Sequence, residues 1–202
     1  MPVTRTDMNS VRERGFTLIE VLLVLAIVGI VSAIAVPSTA AAMRGYSLKG
    51  DARAVYNLVA LAKMRAAARF SRARLHVDRT TNTYFLESWN KTTNAWVAET
   101  VATRTSSGVS FGFGSLSAPP PNTQNAIGFS PLCKDALGND IAYSSCVIFN
   151  SRGMPIDAAG LPTGGNGIYL TDGSGVYATT VTTTPQVKLW FSRSSDANWI
   201  RQ

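Results

Sequence analysis

Arg14-Gly15-Phe16-Thr17-Leu18-Ile19-Glu20 leads directly into Val21-Leu22-Leu23-Val24-Leu25-Ala26-Ile27-Val28-Gly29-Ile30-Val31-Ser32-Ala33-Ile34-Ala35-Val36. One acid stands at the lip of an otherwise uncharged apolar run, and a Gly-Phe step lies just ahead of it. Positions 16–36 span 21 residues, close to the ~20 a helix needs to cross a bilayer. A carboxylate at that lip is costly unless paired, which makes Glu20 a functional candidate. A cleaved export signal would have an apolar core of roughly 7–15 residues and a small-residue exit. Positions 33–35 and 39–41 mimic such an exit, but the run is too long and Glu20 interrupts it. A plain membrane anchor explains the length and leaves the Gly-Phe-Thr-Leu-Ile-Glu lead-in unexplained.

The stretch resembles the N-terminal signature of type IV pilins and of the pseudopilins of type II secretion. The resemblance implies that a prepilin peptidase cuts between Gly15 and Phe16 and methylates the new N-terminal Phe16. Glu20 is then the fifth residue of the mature chain, where the family places its acid. The freed amine of one subunit would meet the Glu20 carboxylate of a neighbour, and a buried charge is tolerable only when so paired. Orientation also comes from the resemblance: leader in the cytoplasm, bulk of the chain outside the inner membrane. Charge counting is neutral on this point, since Arg5, Arg12 and Arg14 precede the run and Arg44, Lys49 and Arg53 follow it.

Beyond the apolar run the helical pattern continues. Pro37 is expected to kink the helix, because proline lacks the N–H and crowds the preceding turn. Val55, Val59, Ala62, Ala66 and Phe70 recur at helical spacing and make a stripe for a globular head. The basic character is concentrated here. Positions 44–79 hold nine bases and two acids, while positions 80–202 hold seven of each. Lys63, Arg65, Arg69, Arg72 and Arg74 are therefore candidate anion contacts, and some minor pilins of the family bind DNA. Such contacts would give salt-dependent affinity without sequence choice. The five fall on more than one face, however, and the C-terminal segment Pro185-Gln186-Val187-Lys188-Leu189-Trp190-Phe191-Ser192-Arg193 lacks an obvious basic Gly-Arg motif. DNA is not the favoured partner; a solvated face or a surface for another pilin competes.

From Ala73 the period changes to two. Short β-like runs fall at 75–77, 84–86, 95–98, 109–113, 146–150, 167–172, 176–183 and 187–192. Asp172-Gly173-Ser174-Gly175 is a hairpin turn, and positions 117–131, with Pro119-Pro120-Pro121, are a loop. A mostly antiparallel sheet packed on the helical stripe is the expected solution. Val147-Ile148-Phe149-Asn150-Ser151-Arg152-Gly153 and Gly167-Ile168-Tyr169-Leu170-Thr171-Asp172-Gly173 resemble the last strands of GspH/FimT-type minor pseudopilins.

Cys133 and Cys146 are the only cysteines. Outside the inner membrane, oxidation is the default, so a structural disulfide is expected, worth about 3 kcal/mol in the chain-entropy model. Two thiols so far apart in sequence supply too few ligands for a metal, and none is expected. His76, the sole histidine, lies between Leu75 and Val77 in a strand with no nucleophile in sequence reach. No phosphate loop, nucleotide fingerprint or paired-carboxylate pattern occurs, so neither catalysis nor a cofactor is expected.

The expectation is an α+β pilin fold: leader 1–15, transmembrane and assembly helix 16–37, amphipathic helix half 38–72, and β-rich head 73–202. The function implied by the resemblance is a minor pilin of a type IV pilus. A minor pseudopilin of type II secretion and a DNA-binding minor pilin for transformation are the alternatives. Expected partners are other pilins or pseudopilins, the prepilin peptidase and the inner-membrane assembly platform. The expected location is the bacterial inner membrane, single-pass, and later a periplasmic or surface filament.

Overall fold

The computed structural model describes residues 15–196 and 198–202; the side chains at 36–38, 40–42 and 44 lie outside the described residues. The chain divides into two compact units, Met1–Ala42 and Met43–Gln202. One helix, α1 (Leu18–Ala68), contributes to both.

In the first unit α1 is apolar on every side. The window Leu18–Ala35 has a mean hydropathy of 2.8, and none of it is buried. A helix that is apolar all round belongs in lipid or among other helices. The helix assignment continues through position 37; the expected kink at Pro37 concerns a side chain outside the described residues.

In the second unit the stripe exists and is longer at its N-terminal side than the sequence suggests. Leu48, Ala52, Val55, Val59, Ala62 and Ala66 are all buried. Phe70 does not belong to it. The helix stops at Ala68, Ser71 N–H bonds the Ala66 carbonyl at 3.1 Å, and Phe70 takes a left-handed φ of 49°. That closing turn swings its ring outward, where it is 75% exposed.

Among the described residues eleven strands follow in two antiparallel sheets, where a single sheet is expected from the sequence. They are β1 (Ala73–Asp78), β2 (Thr83–Asn90), β3 (Ala95–Ala98), β4 (Thr103–Arg104), β5 (Ser110–Phe111), β6 (Ser144–Phe149), β7 (Pro155–Ile156), β8 (Asn166–Thr171), β9 (Gly175–Val181), β10 (Val187–Arg193) and β11 (Ile200–Arg201). One sheet runs β3-β2-β1-β6-β7 with β4 on β2; the other runs β11-β10-β9-β8-β5. The expected hairpin joins β8 to β9. Its Asp172 carboxylate accepts from Ser174 N–H at 2.9 Å and Gly175 N–H at 3.1 Å, and Gly173 supplies the positive φ of 88°.

Both sheets share one core with the helix stripe. Leu75, Val77, Leu86, Val147 and Phe149 come from the first sheet, and Ile168, Leu170, Val181 and Leu189 from the second. Two sheets meeting one helix explain why β6, β8 and β9 are buried along their whole length. The loop at 117–131 is not a bare excursion. Phe129 and Ile127 from it pack on Tyr169, Val176 and Ala178, on a second core. Trp199, near the C-terminus, joins that core and donates to the Ala118 carbonyl at 3.0 Å.

Leu75→Ala, at a fully buried position, is expected to destabilise the head by about 2–5 kcal/mol. Leu137→Ala, at an 88% exposed one, should stay within about 0.5 kcal/mol of wild type. Urea unfolding of the full chain in detergent micelles, followed by tryptophan fluorescence, measures both.

Candidate assembly site

The lip of the apolar helix is built by local hydrogen bonding. Thr17 stands just before α1 and Glu20 in its first turn. Glu20 N–H donates to Thr17 Oγ1 at 3.3 Å, and Thr17 N–H donates to Glu20 Oε2 at 3.4 Å. The Thr17 hydroxyl also donates to Glu20 Oε2 at 3.3 Å. This is a capping box: the Glu20 carboxylate takes up the Thr17 N–H, and the Glu20 N–H is shared between the Thr17 hydroxyl and the Thr17 carbonyl at 3.1 Å. The carboxylate also sits where the helix dipole favours negative charge. Thr17-x-x-Glu20 is a helix-start signal legible in the sequence, and it gives Glu20 a partner within its own chain. Gly15 and Phe16 precede the helix, and Phe16 is 85% exposed. The expected cleavage point is thus sterically open, and the rest of the leader lies outside the described residues.

The five basic candidates are dispersed by the fold. Lys63 donates to the Pro185 carbonyl at 2.9 Å. Arg65 and Arg69 converge on Glu99, at 3.5 and 2.7 Å. Arg72 lies over the Trp89 ring at 4.3 Å and near Trp96 at 5.6 Å. Arg74 is 1% exposed and stacks on Trp96 at 3.9 Å. These are intramolecular uses of charge, and they bring no two of the five together on one open face except Arg65 and Arg69. Trp89 and Trp96 carry no sequence signal that marks them as a pair. They are cross-strand neighbours on β2 and β3, packed edge to face at 5.3 Å.

Arg74 is the centre of a buried ionic group. Its Nε donates to Glu87 Oε2 at 2.5 Å, and its Nη1 donates to the Lys134 carbonyl at 2.7 Å. His76 Nδ1 meets the same Glu87 oxygen at 3.1 Å. Burial pushes the Glu87 carboxyl up, but the hydrogen bonds from His76 and Arg74 and the Arg74 charge outweigh it and hold the group below its ordinary range. Burial lowers the Arg74 guanidinium, and Glu87 opposes that shift. Cys133 and Cys146 are joined as a disulfide, with Cα atoms 4.9 Å apart, and His76 lies beside them. Sequence distance concealed this: His76 and Cys146 are directly paired across β1 and β6.

Residues 11–36 match the family described as the Prokaryotic N-terminal methylation motif. No curated protein matches the chain. Among solved structures it is similar to the minor pseudopilin EpsH from the Type 2 Secretion System of Vibrio cholerae. The identity is 12%, covering 74% of this chain and 99% of that one, with a TM-score of 0.45.

Glu87→Gln is expected to cost about 3–5 kcal/mol, because it strands a buried guanidinium. Stability from the Glu87 pairing is present above the ordinary carboxylate range and is lost as pH falls through the depressed folded-state value. Urea midpoints measured from neutral to acid pH should therefore fall in wild type, and the variant should lose less of its remaining stability over that range.

The segment that matches the Prokaryotic N-terminal methylation motif thus holds Gly15, Phe16 and Thr17, the apolar window of α1, and the acid set in its first turn.

Proposed function

We propose that the protein is a minor pilin or pseudopilin, a structural subunit of an envelope filament, and that its work is assembly rather than catalysis. The observation that carries this is the conjunction at the N-terminus: a methylation motif over residues 11–36 that contains the apolar window Leu18–Ala35, none of whose residues is buried by its own chain. Such a surface anchors the chain in a membrane. On withdrawal from lipid it must be covered by like helices. The prepilin peptidase is the enzyme that such a motif serves, and other pilins are the chemistry that covers the helix. A type IV pilus is the first reading and the type II secretion system the alternative. We place the chain as single-pass with the head outside the cytoplasm.

The capping box refines the role of Glu20. Cleavage between Gly15 and Phe16 leaves the Thr17 N–H in place, so the carboxylate keeps an intrachain partner while the subunit waits in the membrane. Removing water from the bundle then favours a full charge partner, the methylated amine of a neighbour, over two long neutral hydrogen bonds. A DNA receptor role draws less support, because Arg74 is buried and Arg65 and Arg69 already face Glu99.

Glu20→Ala should insert into the inner membrane at wild-type level, since removing a charge does not oppose insertion. Its recovery in sheared filaments should fall by roughly tenfold or more, because a bundle that buries an unpaired amine loses about 3–5 kcal/mol. Wild-type recovery of the variant in that fraction would contradict the proposal.

A further inference from the structure

The disulfide is not isolated in the head. Its two sulfurs and a ring nitrogen of His76 all lie within 4.8 Å of one another, and the three residues are 8%, 0% and 3% exposed for His76, Cys133 and Cys146. Ligand atoms around a tetrahedral zinc ion sit about 3.5 Å apart, given metal–sulfur bonds of about 2.3 Å and metal–nitrogen bonds of about 2.0 Å. To meet that, the sulfurs, bonded here, would part by about 1.5 Å once reduced, and the imidazole would close on them by about 1 Å.

Contacts other than the S–S bond also hold the three together. His76 and Cys146 are paired across β1 and β6. Cys146 N–H bonds the Pro131 carbonyl at 2.9 Å, Ile141 N–H bonds the Cys133 carbonyl at 2.8 Å, and Cys133 N–H bonds Ser144 Oγ at 2.8 Å. The imidazole is held on a second side as well. Glu87 Oε2 faces its Nδ1 at 3.1 Å, and Phe85 stacks on its ring with centroids 4.6 Å apart. A carboxylate behind a histidine is the usual support of a metal-binding imidazole, since it fixes the tautomer and raises ligand basicity. Glu87 thus serves two groups at once, the Arg74 guanidinium and the His76 ring.

We propose that the dithiol form of the head holds a borderline-soft divalent metal of the zinc type on His76, Cys133 and Cys146, in place of the disulfide. The exchange balances. A dithiol or phosphine reductant delivers two electrons to the S–S bond, which opens to two thiols with uptake of two protons, and the reductant is oxidised. Metal binding then releases the thiol protons. Charge balances too. In the oxidised head Arg74 offsets Glu87; in the metal form the divalent ion offsets two thiolates. Water or another small ligand completes the fourth position. The site gives a subunit that has escaped oxidation a second way to tie the segment at 133 to β6.

Cobalt(II) alone is the probe, added to the full chain in detergent micelles after reduction with a water-soluble phosphine. The reduced chain should take up one cobalt, with thiolate-to-cobalt charge-transfer absorption, and the oxidised chain none. His76→Ala, reduced, should bind at least about tenfold more weakly. Three results would each overturn the proposal. One is equal uptake by oxidised and reduced chains; another is unchanged affinity in the histidine variant. The third is a reduced wild type whose circular dichroism has lost its β signal and does not regain it with cobalt.

Discussion

One constraint governs the molecule: the first part of α1 has no cover of its own. Leu22, Leu23, Leu25, Ile27, Val28, Ile30 and Ile34 are all more than half exposed. Apolar surface left against water is unfavourable roughly in proportion to its area, so this segment needs a second phase or a second chain. Everything proposed for the protein follows from where that cover is found. In the membrane it is lipid; in a filament it is the same segment of neighbouring subunits. Glu20 matters because it is the one charged side chain of positions 16–36, and the capping box shows how a single chain keeps it satisfied.

The same helix changes character at the second unit. There the residues that face the sheets are small or β-branched: Ala52, Val55, Val59, Ala62 and Ala66. Small side chains let a helix lie close to two sheets at once, and the branched valines fill the space between strands. Polar residues reinforce the join. Asp51 accepts from Ser106 N–H at 2.7 Å and from its hydroxyl at 3.1 Å. The high basic charge of the segment, which suggested an external anion, is in large part consumed by the head: Arg65 and Arg69 at Glu99, Arg74 at Glu87, Lys63 at a carbonyl. A charge count along the chain cannot distinguish a base that faces solvent from one that faces an acid a few dozen residues away.

What could be read beforehand was whatever is local. The apolar run, the stripe from Val55 to Ala66, and the strands that became β1, β2, β3, β6, β8, β9 and β10 each repeat a pattern within a few residues. The Asp172-Gly173 hairpin is legible for the same reason. β4, β7 and β11 are two-residue segments with no period to detect. The split into two sheets, the loop at 117–131 acting as a lid on Tyr169, and the meeting of His76 with Cys133 and Cys146 depend on pairings far apart in the chain. Phe70 misled because its spacing fits the stripe, whereas the helix ends before reaching it. Of the candidate assembly site, the run from Gly15 to Glu20 is contiguous, and so is the Thr17-x-x-Glu20 cap within it; cleavage at Gly15–Phe16 is a proposal that rests on that run.

The central claim is that the apolar helix is retained, trimmed at its front and drawn into a polymer. The most direct measurement is the intact mass, with N-terminal fragment sequencing, of the protein recovered from bacterial envelopes. The account predicts a mature chain beginning at Phe16 with one methyl group on its amine. A mature chain beginning near Ala42, with the apolar segment removed, would contradict it.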